Sequence, residues 1–354
     1  VTRAFTVKLG RRARAHIARD GLRPADIACI PAAAGGPKGL VLMPLDRWLF
    51  GQWLRDATDL TLIGASIGAW RMAAAAHEDP VAALLELERG YIEDQNYGHK
   101  PGPDAVASLM RANVHAGFGQ WRPRDNLSLR VLTARAAGVL VRNDSRAAFG
   151  RAALANVRGR SYLAQHLRRV VFSRGPRAAA SDALFSADAF GLIHVPLTPR
   201  NALEALLASG SIPIISRAVR DIPGAPEGTY WDGGLIDYHL YLPYQRLDRL
   251  TLYPHFSASV TPGWLDKFLP WRKQGVRGRG SDWLASMILI TPSPDLVARL
   301  PNGKLPDRND FYRYGVDHVA RIAAWRRALA ECARFADEAA AWLEHPDLSF
   351  AQSL

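Results

Sequence analysis

The sequence predicts an α/β core whose sheet is covered by helices on both faces. Three observations carry this expectation. Short apolar runs of strand length alternate along the chain with longer helical stretches. The run DLTLI, 59–63, passes through an abrupt glycine turn into the Ala-rich WRMAAAAHE, where helix propensity is high. No segment supplies about 18 uninterrupted apolar residues, so a membrane-spanning helix is not expected.

Taken in order, DIACI from Asp26 is the first strand candidate, and it ends in the loop PAAAGGPKG. Residues 40–54 follow as a helix with Leu, Met, Phe and Trp on its apolar face, and Pro44 either kinks this helix or moves its start later. Residues 79–97 and 104–116 read as two helices separated by YGHKPGP. Residues 127–133 alternate as a strand, 151–167 read as a helix, and 170–173 as another short strand. A helix over 201–208 precedes SIPII, the loop DIPGAPEG and the strand-like TYW. Residues 250–253 and 287–290 add strands, and 316–343 holds a long terminal helix or helix pair. The N-terminal VTRAFTVKLGRRARAHIARDGL, rich in Arg, reads as a basic surface helix, with a targeting segment as the alternative. Without an internal repeat or a clean linker, 1–354 is expected to be one enlarged domain, with core motifs in 26–236 and further strands and helices in 237–354.

A chain of 354 residues with 48% apolar content is long enough to bury a sizeable core. Lys and Arg number 45 against 33 Asp and Glu, a net charge of +12 concentrated in RRARAHIAR, in Arg158 to Arg177 and in WRKQGVRGRG from Trp271. Such a surface attracts nucleic acid, anionic lipid or an anionic substrate. With no zinc-finger spacing or RNA-recognition signature beside the basic runs, nucleic acid is disfavoured as a partner. Cys29 and Cys332 lie too far apart in sequence to frame a disulfide scaffold. They read as reduced core or helix residues, which favours the cytoplasm, with peripheral attachment at a membrane or lipid particle as the variant.

The chemistry begins at Gly64-Ala65-Ser66-Ile67-Gly68. Between a strand and a helix, G-x-S-x-G spacing presents its serine on a strained turn, with small residues on either side letting neighbouring backbone approach. The helix amides behind Ser66 supply positive potential where negative charge develops.

Four segments in order resemble the patatin-like phospholipase family: AAGGPKG, 33–39, its glycine-rich oxyanion loop; GASIG, its nucleophile motif; ALLASGSIP, 205–213, the helix and turn before the catalytic aspartate; and WDGG, 231–234, its Asp-Gly-Gly motif. The resemblance covers roughly residues 26 to 236. It implies a three-layer α/β/α sandwich with a mainly parallel central sheet, and a lipid acyl hydrolase working through a Ser66/Asp232 dyad. It also implies Gly35 and Gly36 as oxyanion donors, with Lys38 and Gly39 supporting the loop or an anionic substrate group. Gly64 and Gly68 support the nucleophile turn. Ala33 and Ala34 stand where the family loop carries Asp and Gly, which puts the hydrogen bonding of its leading edge in question.

In this reading Ser66 Oγ attacks an ester carbonyl, Asp232 takes its proton, and water later releases the acyl group, with no cofactor or metal in these steps. An alternative is a carboxylesterase or thioesterase triad of Ser66, Asp232 and His255, in the Ser, Asp, His order of α/β hydrolases. His239, beside the aspartate motif, reads as a packing or substrate-contact residue. The loop lacks the full phosphate-loop pattern, which disfavours ATP and GTP. Residues 190–196 and 283–290 are candidates for an acyl pocket or for core strands. GWLDKFLPWRKQGVRGRG, 263–280, interleaves aromatic and basic residues suited to an anionic lipid surface. A polyester or lipid-particle substrate fits the same features, and a noncatalytic membrane-surface protein is the reading from another class.

Overall fold

A computed structural model describes residues 2–142, 145–177, 182–272 and 281–354. Its strands are β1 (Phe5–Leu9), β2 (Ile27–Ala32), β3 (Leu60–Ala65), β4 (Leu127–Ala136), β5 (Leu167–Arg174), β6 (Leu192–Pro196), β7 (Val219–Arg220), β8 (Thr229–Asp232), β9 (Leu250–Pro254), β10 (Met287–Pro292) and β11 (Gln352–Ser353). They join into one open sheet with the path β11-β1-β10-β9-β2-β3-β4-β5-β6, and β8 pairs with β4 and β7 off this path. The stretch β10-β9-β2-β3-β4 is parallel throughout. Antiparallel pairing enters where β1 meets β10, where β5 meets β4, and through β8. The fold is therefore α/β with a mostly parallel mixed sheet.

Every residue of β2, β3 and β10 is buried. Strands covered on both faces have no solvent face to keep polar, which explains their continuous apolar runs. The strands of 237–354 enter the same sheet as those of 26–236, since β9 pairs directly with β2.

The helix Ile67–Ala75 is wholly buried and packs on β3. It is tied to the helix Met43–Trp48 by Arg71, whose guanidinium donates to both oxygens of the buried Asp46 at 2.7 and 2.8 Å. The helix His318–Glu344 packs over Met43–Trp48 and buries Trp325, Cys332, Phe335 and Trp342. Cys29 and Cys332 are free thiols in the interior.

The structure corrects several expected elements. The N-terminal segment holds a strand before its basic helix: FTVKL pairs antiparallel with β10, and only Arg11–Asp20 is helical. The expected helix over 40–54 is a 3₁₀ turn at Gly36–Leu42, an α-helix at Met43–Trp48 and a π turn at Leu49–Trp53, with Pro44 in the first α turn, where its missing N–H costs nothing. The expected helix over 151–167 is Arg146–Arg158, capped by Ser145. Extended Gly159 separates it from Arg160–Leu163, and Leu167 opens β5. The terminal helix is a single one. Among the described residues, no helix is long and apolar enough to cross a membrane.

Candidate active site

Ser66 sits at the carboxyl end of β3, one residue before the helix Ile67–Ala75. Its backbone adopts φ 57° and ψ −132°, in the left-handed half of the map where a residue with a Cβ is strained. Neighbours hold it there. The Ser66 amide donates to Ser209 Oγ at 2.9 Å, and Ser209 Oγ donates in turn to the Leu132 carbonyl at 2.7 Å. Gly68 is needed for close approach, because a Cβ there would collide with the Ala32 carbonyl at the end of β2. The start of the helix Ile67–Ala75 is thereby pressed against the loop that follows β2. Gly64 lies against Gly68 and Ala69 in the same way.

Asp232 ends β8. Along β4, Ala65 of β3 lies opposite Leu132, and Asp232 lies opposite the next residue, Thr133. Thus β8 arrives head-on to β3 against one strand, and β4 serves as the ruler that sets Asp232 beside Ser66. The residue that ends the helix Ala202–Gly210 secures the partner, since the Asp232 amide donates to the Ser211 carbonyl at 2.8 Å.

The Asp232 carboxylate is buried and accepts from the Gly234 amide at 2.7 Å. Burial pushes its pKa up to about 6, against the lowering effects of donation from Ser66, the Gly234 amide and the charge of Arg308. A carboxylate tuned into this range is a better base near neutrality than an exposed one. Ser66 and Asp232 line one cavity, close enough for the Ser66 hydroxyl to favour the charged carboxylate.

The loop after β2 faces this pair. Gly36 has φ 56°, the turn that starts the 3₁₀ segment, and Gly35 packs under the ring of Phe256. Gly35, Gly36 and Lys38 line the cavity that contains Ser66 and Asp232. Gly39 is buried, where an added Cβ would lie 3.0 Å from Ile67, so it supports the loop by close packing and does not line the cavity. At the leading edge both Ala33 and Ala34 are buried, and the Ala34 amide donates to the Tyr238 carbonyl at 2.9 Å. Among the described residues the amides of Gly35, Gly36 and Ile67 pair with no main-chain carbonyl, which leaves them available to an oxyanion.

Two cavities meet at Ser66. The larger, about 590 Å³, is lined by Ile67, Trp70, Val106, Met110, Ile215 and Phe311 among others. The smaller, about 220 Å³, contains Asp232, Lys38, Lys267 and Arg308. Gly36, Pro37, Ser66, Ile212 and Arg308 belong to both.

His255 lies outside both cavities. It is wholly buried, and its Nδ1 is occupied by the Ser257 amide and carbonyl, each at 2.7 Å. Burial drives its pKa down to about 3, which leaves a weak base. His239 stacks on Tyr238 and meets His255 edge-on, with Nδ1 between Ser259 and Thr261, which is a packing role. Residues 190–196 and 283–290 line neither cavity: they supply β6 at the end of the sheet path and the wholly buried β10. Within 263–280, Trp264 and Lys267 line the smaller cavity, and 273–280 lie outside the described residues. No group of three or more His, Cys, Asp or Glu suited to a metal occurs among the described residues.

Ser209 and Arg308 carry no mark in the sequence, whereas Ile67 heads the helix amides expected behind Ser66. The Ile67 amide was legible in principle, as the residue after the nucleophile in a strand-turn-helix elbow. Ser209 sits inside the quoted ALLASGSIP, but nothing local marks it as the acceptor for a backbone amide 143 positions away. Replacing it, Ser209→Ala, leaves the Ser66 amide buried without a partner. The expected cost is about 1–3 kcal/mol of stability, read by thermal denaturation. An unchanged melting temperature would remove Ser209 from the support of this turn. No protein-family model and no curated protein matches this chain.

Proposed function

We propose that the chain is a serine acyl-ester hydrolase of the patatin-like kind, a three-layer α/β/α sandwich acting through Ser66 and Asp232. The observation that carries the reading is the register along β4, which sets a strained, cavity-lining serine next to a buried carboxylate raised to about 6. Ser66 Oγ attacks the ester carbonyl carbon while its proton passes to Asp232. The carbonyl oxygen becomes an oxyanion held by the amides of Gly35, Gly36 and Ile67. The bond from carbonyl carbon to alcohol oxygen breaks, and the leaving oxygen takes the proton from Asp232. Water then adds to the acyl-serine, giving one proton to Asp232, and the C–O bond to Ser66 breaks as that proton returns to Oγ.

The larger cavity suits an apolar acyl chain, and the position of Ser66 at its edge suits attack at the carbonyl end. Phe268 and Trp271, 64% and 68% exposed, lie beside Lys267 and Arg272, which fits substrate met at an anionic lipid surface. A serine-directed fluorophosphonate tests the reading. The expected result is a single adduct on Ser66 by peptide mass spectrometry, prevented by prior incubation with a short-chain ester. Absence of labelling on a folded protein that also turns over no ester would overturn it.

A further inference from the structure

Beyond the dyad, the smaller cavity collects charge of one sign. Lys38 comes from the loop after β2, Lys267 from the 3₁₀ segment Trp264–Phe268, and Arg308 from the residue before the helix Asn309–Tyr314. Three distant parts of the chain thus deliver cations to one wall. Among the described residues none of the three joins an ion pair. The cavity has two acids. Asp232 is the proposed base, and Asp307 is bound to Lys304 Nζ at 2.8 Å while also accepting from the Asn309 amide. Both still act on the wall at longer range, since Asp307 favours the charged Lys38 against the lowering by burial and Arg308 favours the charged Asp232, so two acids, one of them tied to Lys304, offset the three cations only in part.

The cations also destabilise one another. Burial first, then the charges of Arg308 and Lys38, push the Lys267 ammonium down to about 8. Aromatic faces, not carboxylates, surround it: its Nζ lies 4.4 Å from the Trp264 ring centroid and 6.0 Å from that of Tyr238. Like charges held together in a partly buried wall and only partly offset by carboxylates are relieved by an anion.

We propose that Lys38, Lys267 and Arg308 form a leaving-group subsite, so that the preferred ester carries a phosphate or carboxylate on a small alcohol. This rests on the hydrolase reading, with the acyl chain in the larger cavity and the alcohol in the smaller. The volume of about 220 Å³ accommodates an alcohol of a few carbons with its anion. A zwitterionic alcohol is disfavoured, since its ammonium would face the same three cations. When the C–O bond breaks, the alcohol leaves with the proton from Asp232 and its anion still on the cationic wall.

The test uses four water-soluble butyrate monoesters that share the attacked bond, with glycerol, glycerate, glycerol 3-phosphate and glycerophosphocholine as alcohols. The expected kcat/KM for at least one anionic ester is about tenfold or more above the glycerol ester at low salt, with the choline ester well below the phosphate ester. The ratio between phosphate and glycerate esters tells which anion the wall fits. In Arg308→Gln and Lys267→Gln the ratio of anionic to neutral kcat/KM falls toward one, and Arg308→Lys restores part of it. A wild-type ratio near one, or ratios unmoved in both Gln variants, overturns the subsite.

Calorimetry on Ser66→Ala protein reads the subsite without turnover. Glycerol 3-phosphate or glycerate binds, and binding weakens in Arg308→Gln protein and at high salt. Binding without hydrolysis of any ester by the wild type would sink the hydrolase reading and keep the subsite. Hydrolysis with neither anion preference nor binding would do the reverse.

Discussion

Ser66→Ala is expected to lower kcat on a soluble butyrate ester by about ten-thousand-fold or more while leaving the fold intact. The reason is that, on the proposed hydrolase reading, the whole covalent route runs through Oγ. What survives is the modest acceleration due to the Gly35, Gly36 and Ile67 amides acting on attack by water. The same position carries a stability signature. With φ 57° and ψ −132°, Ser66 occupies backbone space that costs a non-glycine residue on the order of 1 kcal/mol or more. Ser66→Gly therefore raises the melting temperature while abolishing turnover, whereas Ser66→Ala removes the nucleophile and keeps the strain. Turnover by Ser66→Ala within about tenfold of the wild type would show that the hydrolysis has another nucleophile. A protein that hydrolyses nothing, in wild type and variant alike, would return the chain to the noncatalytic membrane-surface reading.

Asp232→Asn is expected to reduce kcat/KM by about a thousand-fold, the loss appropriate to a general base whose geometry is kept but whose proton affinity is gone. In the wild type, kcat/KM climbs by about tenfold per pH unit below about 6 and levels off above, because only the carboxylate form accepts the Ser66 proton. The stability contribution of the same group has the opposite sign. Its folded-state pKa is raised above the ordinary 3.8 by burial, so the native state holds the proton more tightly than the unfolded chain. That contribution is present below about 3.8 and is lost as pH rises through about 6, so the pH that activates the base also weakens the fold at this position. Melting temperatures of wild type and Asp232→Asn across this window report the difference. His255→Asn supplies the contrast: with its ring outside both cavities, kcat/KM stays within about tenfold of the wild type. A loss there approaching that of Ser66→Ala would displace the dyad in favour of a triad.

The strands were largely legible because burial on both faces leaves an unmistakable apolar run: 59–63, 127–133, 250–253 and 287–290 each lie at or within one residue of an observed strand. Legibility failed where two signals competed. In the N-terminal segment the arginines of the following helix masked FTVKL, whose alternation only makes sense beside β10, some 280 residues later. Over 151–167 helix propensity continued through residue 159, but in the chain Gly159 is extended and a second short helix, Arg160–Leu163, intervenes before β5. Over 40–54 the apolar spacing was correct for burial, yet three helical pitches share it, and a spacing of apolar residues does not distinguish them.

By itself the sequence determined the alternating α/β order, the strand-turn-helix that displays Ser66, and the glycines at 35, 36, 64 and 68, because these depend on local backbone sterics and on runs of burial that neighbouring residues express. Only the tertiary structure decided that Asp232 falls one register step beyond β3 along β4, that Ser209 holds the Ser66 amide, and that His255 lies behind Phe256 outside the cavities. It also decided that Lys38, Lys267 and Arg308 share one wall. Strand register, burial and charge proximity are set by packing between residues up to some 270 positions apart, and no local window of the sequence contains both partners.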